Sequence, residues 1–133
     1  MPGPANAGVF VYAFDPGRVA QFYVAVLGMR LLRRTGELIV LENADLQLLV
    51  HAVPPEARAA ATPATPPRPR WNSALKFFVT VPGLAAARAT AQAHGGEVFA
   101  EQWTGPGFIV CNAMDPEGNV FHLREKQTER GSP

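Results

Sequence analysis

Few side chains of this sequence offer obvious chemistry, and none of them stands in a common catalytic motif. The single cysteine, Cys111, lies in the apolar run FIVCNAM without a His or Lys beside it, which is typical of a buried, unreactive thiol. There is no Gly-rich phosphate loop, no HExxH zinc motif and no serine elbow. The best candidates for functional residues are His122, between Phe121 and Leu123, and Lys76 in the apolar run LKFFVTV. Both lie among apolar residues, and a buried lysine needs a partner.

The composition excludes several classes of protein. With 133 residues, 47% of them hydrophobic and 17% charged, the chain fits one compact domain or two small fused modules. The net charge of +1 argues against nucleic acid as a partner. One cysteine excludes an internal disulfide. No apolar run approaches the roughly 20 residues of a membrane span, and no signal peptide is visible. We therefore expect a cytoplasmic protein without membrane contact.

A Pro-rich segment divides the chain into two halves. Six prolines lie between Pro54 and Pro69, and no large apolar residue accompanies them. Proline removes backbone donors and breaks helices, so this composition is typical of an exposed linker. We predict a single domain over residues 1–126, in which a linker at 54–73 joins a first module at 8–53 to a second at 74–126. A flexible tail at 127–133 follows.

The first half shows clear signals for one strand and one amphipathic helix. A β-branched and aromatic run at 9–14 predicts a strand. Asp15 and Pro16 then mark the start of a helix, and Gly28 marks its end. Between them, apolar residues recur with helical spacing at Val19, Phe22, Tyr23, Val26 and Leu27.

The two halves share the same order of elements. In the first half, three strands are predicted after the helix, at 31–32, 38–41 and 46–53. In the second half, a strand at 75–81 precedes an alanine-rich helix that begins near Pro82-Gly83 and ends at Gly95-Gly96, and strands follow at 97–103, 108–113 and 120–126. Both halves are therefore predicted to be β-α-β-β-β, an internal repeat of the α+β class.

Two local motifs make the sequence similar to the vicinal oxygen chelate superfamily of glyoxalase I, fosfomycin and bleomycin resistance proteins and extradiol dioxygenases. Phe22-Tyr23 followed by Val26-Leu27-Gly28-Met29 resembles its FY…vLGm motif, and DPEGNVFHL at 115–123 resembles its DPdGNxxEL motif. The resemblance implies an α+β fold in which two βαβββ modules form curved mixed sheets around a shared cleft. It also implies a homodimer. Both motifs have a structural interpretation as well, a helix cap and a tight turn.

The resemblance further implies four positions where metal-using members place ligands, and these fall on Gly8, Gln47, Lys76 and His122. Glycine has no side-chain donor, and a charged ammonium has no lone pair. A catalytic metal needs about three good ligands, and only His122 is one, since Gln47 is weak. We therefore expect no metal cofactor, with Zn, Ni, Mn or Fe as the alternative. A register slip would instead bring in Glu42, His51, Glu101 or Glu125.

The same alignment with the superfamily predicts which side chains face the cleft. They are Phe10, Tyr12, Phe14, Gln47, Leu49, His51, Lys76, Phe78, Thr80, Val120, His122 and Arg124, with Trp103 at the rim. Apolar walls with a few polar groups are typical of small-molecule pockets, and Lys76 and Arg124 are suited to a carboxylate or phosphate. Alternatively, the aromatic residues only fill a sheet interior and His122 is a satisfied core histidine.

Three functions remain open at this point. The first is a metal-independent protein that binds or sequesters a small molecule, as in the bleomycin-resistance branch. The second is a metal-dependent lyase, isomerase or dioxygenase of the glyoxalase class that uses Gln47 and His122. The third is a non-catalytic scaffold whose cleft is filled by its own side chains. The sequence leaves open whether the protein is an enzyme, and it does not identify the ligand.

Overall fold

The computed structural model describes residues 5–58 and 62–128. The first module consists of β1 (Gly8–Ala13), α1 (Pro16–Leu27), β2 (Arg30–Arg34), β3 (Leu38–Glu42) and β4 (Gln47–Ala52). The helix signals act as predicted. The carboxylate of Asp15 accepts a hydrogen bond from the amide of Arg18 at 3.2 Å, and Gly28 ends the helix in the left-handed conformation with φ 64°.

The second module repeats this order with two differences in its strands. A single helical turn, α2 (Pro55–Arg58), precedes β5 (Phe78–Thr80), α3 (Leu84–Ala93), β6 (Glu97–Gly105), β7 (Phe108–Met114) and β8 (Val120–Lys126). β5 is shorter than the predicted strand at 75–81, although the carbonyl of Phe77 still accepts from the amide of His122 at 2.9 Å. β6 is longer and bulges between Val98 and Gln102.

Each module forms its own four-stranded mixed sheet. The strand order is β1-β4-β3-β2 in the first sheet and β5-β8-β7-β6 in the second. The outer pairs β1/β4 and β5/β8 are parallel, and the remaining pairs are antiparallel. Within the described residues the sheets are not closed, and β1 and β5 are edge strands. The predicted α+β fold of two βαβββ modules is confirmed.

The core lies between the helices α1 and α3 and one face of each sheet. All five residues of the predicted stripe on α1 are buried. The core face of α3 is smaller, with Leu84, Ala87 and Ala91, which allows close packing. Gly96 contributes to the same packing, because a Cβ atom there would overlap the ring of Phe22. The first module therefore packs directly against the second.

The turn between β7 and β8, residues 115–119, also joins the two modules. Asp115 is fully buried, and its carboxylate accepts hydrogen bonds from the hydroxyl of Tyr23 and from Nδ2 of Asn119, both at 2.8 Å. Burial and the neighbouring Asp115 raise the pKa of Tyr23 well above its usual value, so the hydroxyl keeps the proton that it donates. Glu117 accepts from the amides of Phe14 and Asp15, at 2.9 and 2.8 Å.

The end of the predicted linker lies on this same turn. The amide of Arg70 donates to the carbonyl of Gly118 at 2.9 Å, and its guanidinium donates to the carbonyl of Glu117 at 3.3 Å. The ring of Trp71 lies 5.0 Å from that of Phe99. These contacts fix the last part of the 54–73 segment on the second module.

No helix in the two described ranges has the length and apolar character of a membrane span. The longest, α1, has 12 residues, whereas a span takes about 20. Most of the predicted tail, residues 129–133, lies outside the described residues.

Candidate functional site

The side of each sheet that points away from the helices, here called its open face, carries most of the predicted cleft residues. On the first sheet, Phe10 and Tyr12 are 51% and 54% exposed, whereas Val9 and Val11 pack against the core. The rings of Phe10, Tyr12 and His51 lie 5.0 to 5.8 Å apart. This open face is therefore an aromatic patch that solvent reaches.

His51 adds a polar group to the aromatic patch. Its Nδ1 lies 2.7 Å from the carbonyl oxygen of Ala52, and a carbonyl only accepts, so Nδ1 must carry the proton. In the neutral ring, Nε2 then keeps a lone pair. The ring also stacks on Phe10. His51 can thus accept a hydrogen bond from a bound molecule.

Arg124 is the central side chain on the open face of the second sheet. Its guanidinium carbon lies 3.7 Å from the ring centroid of Phe78 and 4.0 Å from that of Phe108. Among the described residues the guanidinium forms no ion pair, and its Nε is buried without a hydrogen-bond partner. A guanidinium between two rings is held in a fixed orientation and still has donors to offer.

His122 lies beside Arg124 on the same open face. The strand register places it opposite Phe78 on β5 and Asn112 on β7. Burial lowers the pKa of His122, and the positive charges of Lys76 and Arg124 lower it further. Lys76, His122 and Arg124 are called the cationic cluster below.

A cavity of about 580 Å³ lies where β1 approaches the segment before β5. Phe10 and Tyr12 line it from the first module, and Leu75, Lys76 and Val120 line it from the second. Pockets of about 300–1,000 Å³ are typical for small organic ligands. Lys76 belongs both to this junction cavity and to the cationic cluster, so it connects the aromatic patch with the second open face.

The four positions that the resemblance assigns to metal ligands do not carry a fitting donor set. Gly8 lies opposite Gln47 in the β1/β4 pair and also lines the junction cavity with Lys76. Gly8 has no side chain to donate an electron pair to a cation, and a protonated lysine has no lone pair. Over residues 5–58 and 62–128, no three His, Cys, Asp or Glu side chains are grouped so that they could hold a metal ion.

The remaining predicted residues are spread over the edges of the two faces. Phe14 follows β1, and the guanidinium of Arg58 lies 5.5 Å from its ring. Leu49 pairs with Phe10, Thr80 pairs with Arg124, and Val120 is buried at the start of β8. Trp103 is 47% exposed and pairs with Val110, the neighbour of Arg124 on β7.

Two residues of the second open face, Phe108 and Asn112, were not among the predicted cleft residues. The register places Asn112 opposite His122, and Phe108 covers one side of Arg124. Both have the same parity as Val110 in the predicted strand FIVCNAM, so strand alternation was the available signal. Glu42, which a register slip would have introduced as a metal ligand, is buried. Its Oε2 lies 3.6 Å from Nη2 of Arg30.

The comparison with known proteins agrees with this fold. A sequence model of the glyoxalase-like domain family matches residues 8–124. The chain therefore belongs to the glyoxalase-like domain family, within the vicinal oxygen chelate superfamily. No curated protein matches the sequence.

Solved structures with similar folds come from several bacteria. A glyoxalase/bleomycin resistance protein/dioxygenase family enzyme from Burkholderia phytofirmans has 19% identity and a TM-score of 0.65, with 93% of this chain and 100% of that chain covered. A glyoxalase-related enzyme from Fulvimarina pelagi has 18% identity and a TM-score of 0.62, with 90% and 86% covered. TioX from Micromonospora sp. ML1 has 19% identity and a TM-score of 0.63, with 94% and 100% covered. At such identities the likeness shows the fold alone.

Proposed function

We propose that this protein binds a small organic molecule at the junction cavity and the adjoining open faces, without a divalent metal. The observation that carries the proposal is the half-exposed aromatic patch beside Lys76. Lys76 itself occupies one of the four positions where metal-using relatives place a ligand. Exposed aromatic rings next to a few oriented polar groups are typical of ligand sites. A filled interior would instead leave these rings buried.

The side chains at the four ligand positions are poorly suited to a divalent metal. A charged lysine at a ligand position repels a cation, since two unit charges 4 Å apart interact by about 4 kcal/mol at an effective dielectric constant of 20. Gly8 offers no side chain, which leaves His122 and Gln47. Two ligands, one of them a neutral amide, fall short of a stable divalent site.

One observation favours the alternative of a metal-dependent enzyme of the glyoxalase class. The lowered pKa of His122 keeps its ring neutral near pH 7, and metals bind neutral imidazole. The same cations that lower this pKa, Lys76 and Arg124, also oppose a metal at that place. We therefore keep the enzyme as the second candidate function.

Metal analysis separates these two functions. We expect protein purified without chelator to carry well under one equivalent of Zn, Ni, Mn or Fe, and added metal to change its melting temperature little. The double variant Lys76→His with Gln47→Glu supplies strong ligands at two further positions of the four, in addition to His122, and should bind metal more tightly than wild type. Elemental analysis and thermal-shift measurements test both points. One tightly held metal per wild-type chain, lost in His122→Ala, would favour the enzyme instead.

Small-molecule binding can be tested with Nile red, an uncharged aromatic dye. We expect its fluorescence to rise on binding to wild type, and Tyr12→Ser to weaken binding about fivefold, since an aromatic contact is worth about 1 kcal/mol. The control is Leu31→Ser, which removes an equally exposed apolar side chain (54%) from β2, outside the junction cavity. Equal losses in the two variants, or no dye binding to wild type, would reject the proposed site.

A further inference from the structure

We propose that the bound molecule carries an anionic group, a carboxylate or a phosphonate or phosphate, and that the cationic cluster of Lys76, His122 and Arg124 binds it. This inference rests on the proposed function and names the chemical class of its ligand. The first support is the lack of a protein anion to balance the positive charges of Lys76 and Arg124. In the described part of the chain the only ion pair joins Arg30 to Glu42, on the first sheet.

The carboxylates nearest in sequence to the cluster are committed elsewhere. Glu125 follows Arg124, but its Oε1 accepts from the amide of Leu84 at the start of α3, at 2.8 Å. Asp115 and Glu117 bind Tyr23 and the amides that begin α1. Within the described residues, no carboxylate of the second module forms an ion pair.

The groups that face His122 from the packed elements are neutral or positive. β5 contributes Phe78 and β7 contributes Asn112. Arg124 lies on β8 itself, and Lys76 precedes β5. Both charges that act on the pKa of His122 are positive. An incoming anion therefore meets three donors on one open face, and within the described residues none of the three forms an ion pair with a carboxylate.

Arg124 is prepared for such a ligand. The rings of Phe78 and Phe108 hold its guanidinium on both sides, so it loses little freedom when an anion binds. Its Nε lacks a partner, and an unsatisfied buried donor is costly. A planar guanidinium forms paired hydrogen bonds with carboxylate or phosphate oxygens.

The rest of the ligand is an apolar or aromatic body of limited size. Lys76 lines the same 580 Å³ cavity as Phe10 and Tyr12. A molecule whose anion binds at Lys76 can therefore place its body against the aromatic patch. Aromatic carboxylates and arylphosphonates combine both features.

Isothermal titration calorimetry with three matched compounds tests the inference. Benzoate and phenylphosphonate share a phenyl ring with benzamide, which is uncharged. We expect at least one of the two anions to bind about tenfold or more tightly than benzamide, because charge-assisted hydrogen bonds are the strong ones. The preference between the two anions identifies the acid group. Equal affinity for benzamide, or no anion binding at millimolar concentration, overturns the inference.

Single variants locate the binding site of the anion. Lys76→Gln and Arg124→Gln should each weaken binding of the preferred anion about tenfold. Arg33→Gln removes one positive charge from an exposed position on β2 of the first sheet, outside the cluster, and we expect less than a twofold change. Lys76 is exposed, so Lys76→Gln remains informative if Arg124→Gln is unstable. Wild-type affinity in Lys76→Gln contradicts the inference.

A variant of His122 identifies the part played by this side chain. His122 lies two residues from Arg124 on the same open face of β8, so its ring can donate a hydrogen bond to the anion. We expect His122→Ala to weaken benzoate binding about fivefold. Unchanged benzoate affinity in His122→Ala excludes His122 from the cluster's function.

The two proposals fail in distinguishable ways. Nile red carries no charge, so its binding tests the aromatic patch alone. Nile red binding that depends on Tyr12, together with equal affinity for benzoate and benzamide, keeps small-molecule binding and overturns the anion. If wild type does not bind Nile red, the proposed function itself is rejected.

Discussion

Replacing Phe22 by alanine is expected to lower the free energy of unfolding by about 3–5 kcal/mol. Phe22 is fully buried, and its ring packs edge-on against Tyr23 and Phe121, with centroids 5.1 and 6.1 Å away. Phe121 belongs to the second module, and Gly96 leaves room for the same ring. The truncation therefore opens a cavity where the two modules meet. Urea unfolding followed by circular dichroism measures the loss.

Val24→Ala is the matched control for this experiment. Val24 lies on the same helix, two residues along, but is 38% exposed. We expect its truncation to cost less than about 0.5 kcal/mol, as is usual for surface substitutions. Comparable losses in the two variants would mean that the buried face of α1 is wrongly assigned. The register of the open faces would then need revision too.

Asp115→Asn is expected to cost about 2–4 kcal/mol, although the two side chains have nearly the same shape. The carboxylate accepts from Tyr23, from the side chain of Asn119 and from the amides of Glu117 and Asn119, at 2.8 to 3.1 Å. An amide has one oxygen and brings an NH₂ group that cannot accept. At least one buried donor then loses its partner, and the charge that strengthened the others is gone. Urea titration near pH 7 measures the difference.

Tyr23→Phe separates the loss of one hydrogen bond from the loss of the whole network. It removes the hydroxyl that donates to Asp115 and leaves the other three donors in place. We expect a cost of about 1 kcal/mol, a typical net value for one hydrogen bond. If Asp115→Asn costs no more than Tyr23→Phe, the turn at 115–119 is not the strong contact that its geometry indicates.

The fold could be predicted from the sequence to a large extent, because its signals are local. The stripe from Val19 to Leu27 has helical spacing, and Asp15 and Gly28 mark the ends of the helix. Period-two alternation and turn residues identified the strands. The limits of β5 were wrong, since apolar composition extends from Leu75 to Val81 but strand pairing with β8 covers only Phe78–Thr80.

The candidate site was harder to predict because it depends on contacts between distant residues. Alternation can place Arg124 on a face, but it does not show that Phe78 and Phe108 enclose its guanidinium. The bulge in β6 places four residue steps, from Val98 to Gln102, opposite two steps on β7, from Ala113 to Cys111, and has no clear signature in the sequence. The partner of Glu117 lies about a hundred residues away, at Phe14 and Asp15. No local pattern reveals such a pairing.

The contact between Glu117 and the start of α1 has a consequence for synthesis of the chain. The amides of Phe14 and Asp15 find their acceptor 103 and 102 residues later. The hydroxyl of Tyr23 likewise finds its acceptor, Asp115, 92 residues later, and the ring of Phe22 packs against that of Phe121. While the ribosome is still making the second half, the first half lacks these partners. The first module therefore reaches its final packing only after residues 115–121 have been translated, and the nascent half keeps apolar surface exposed until then.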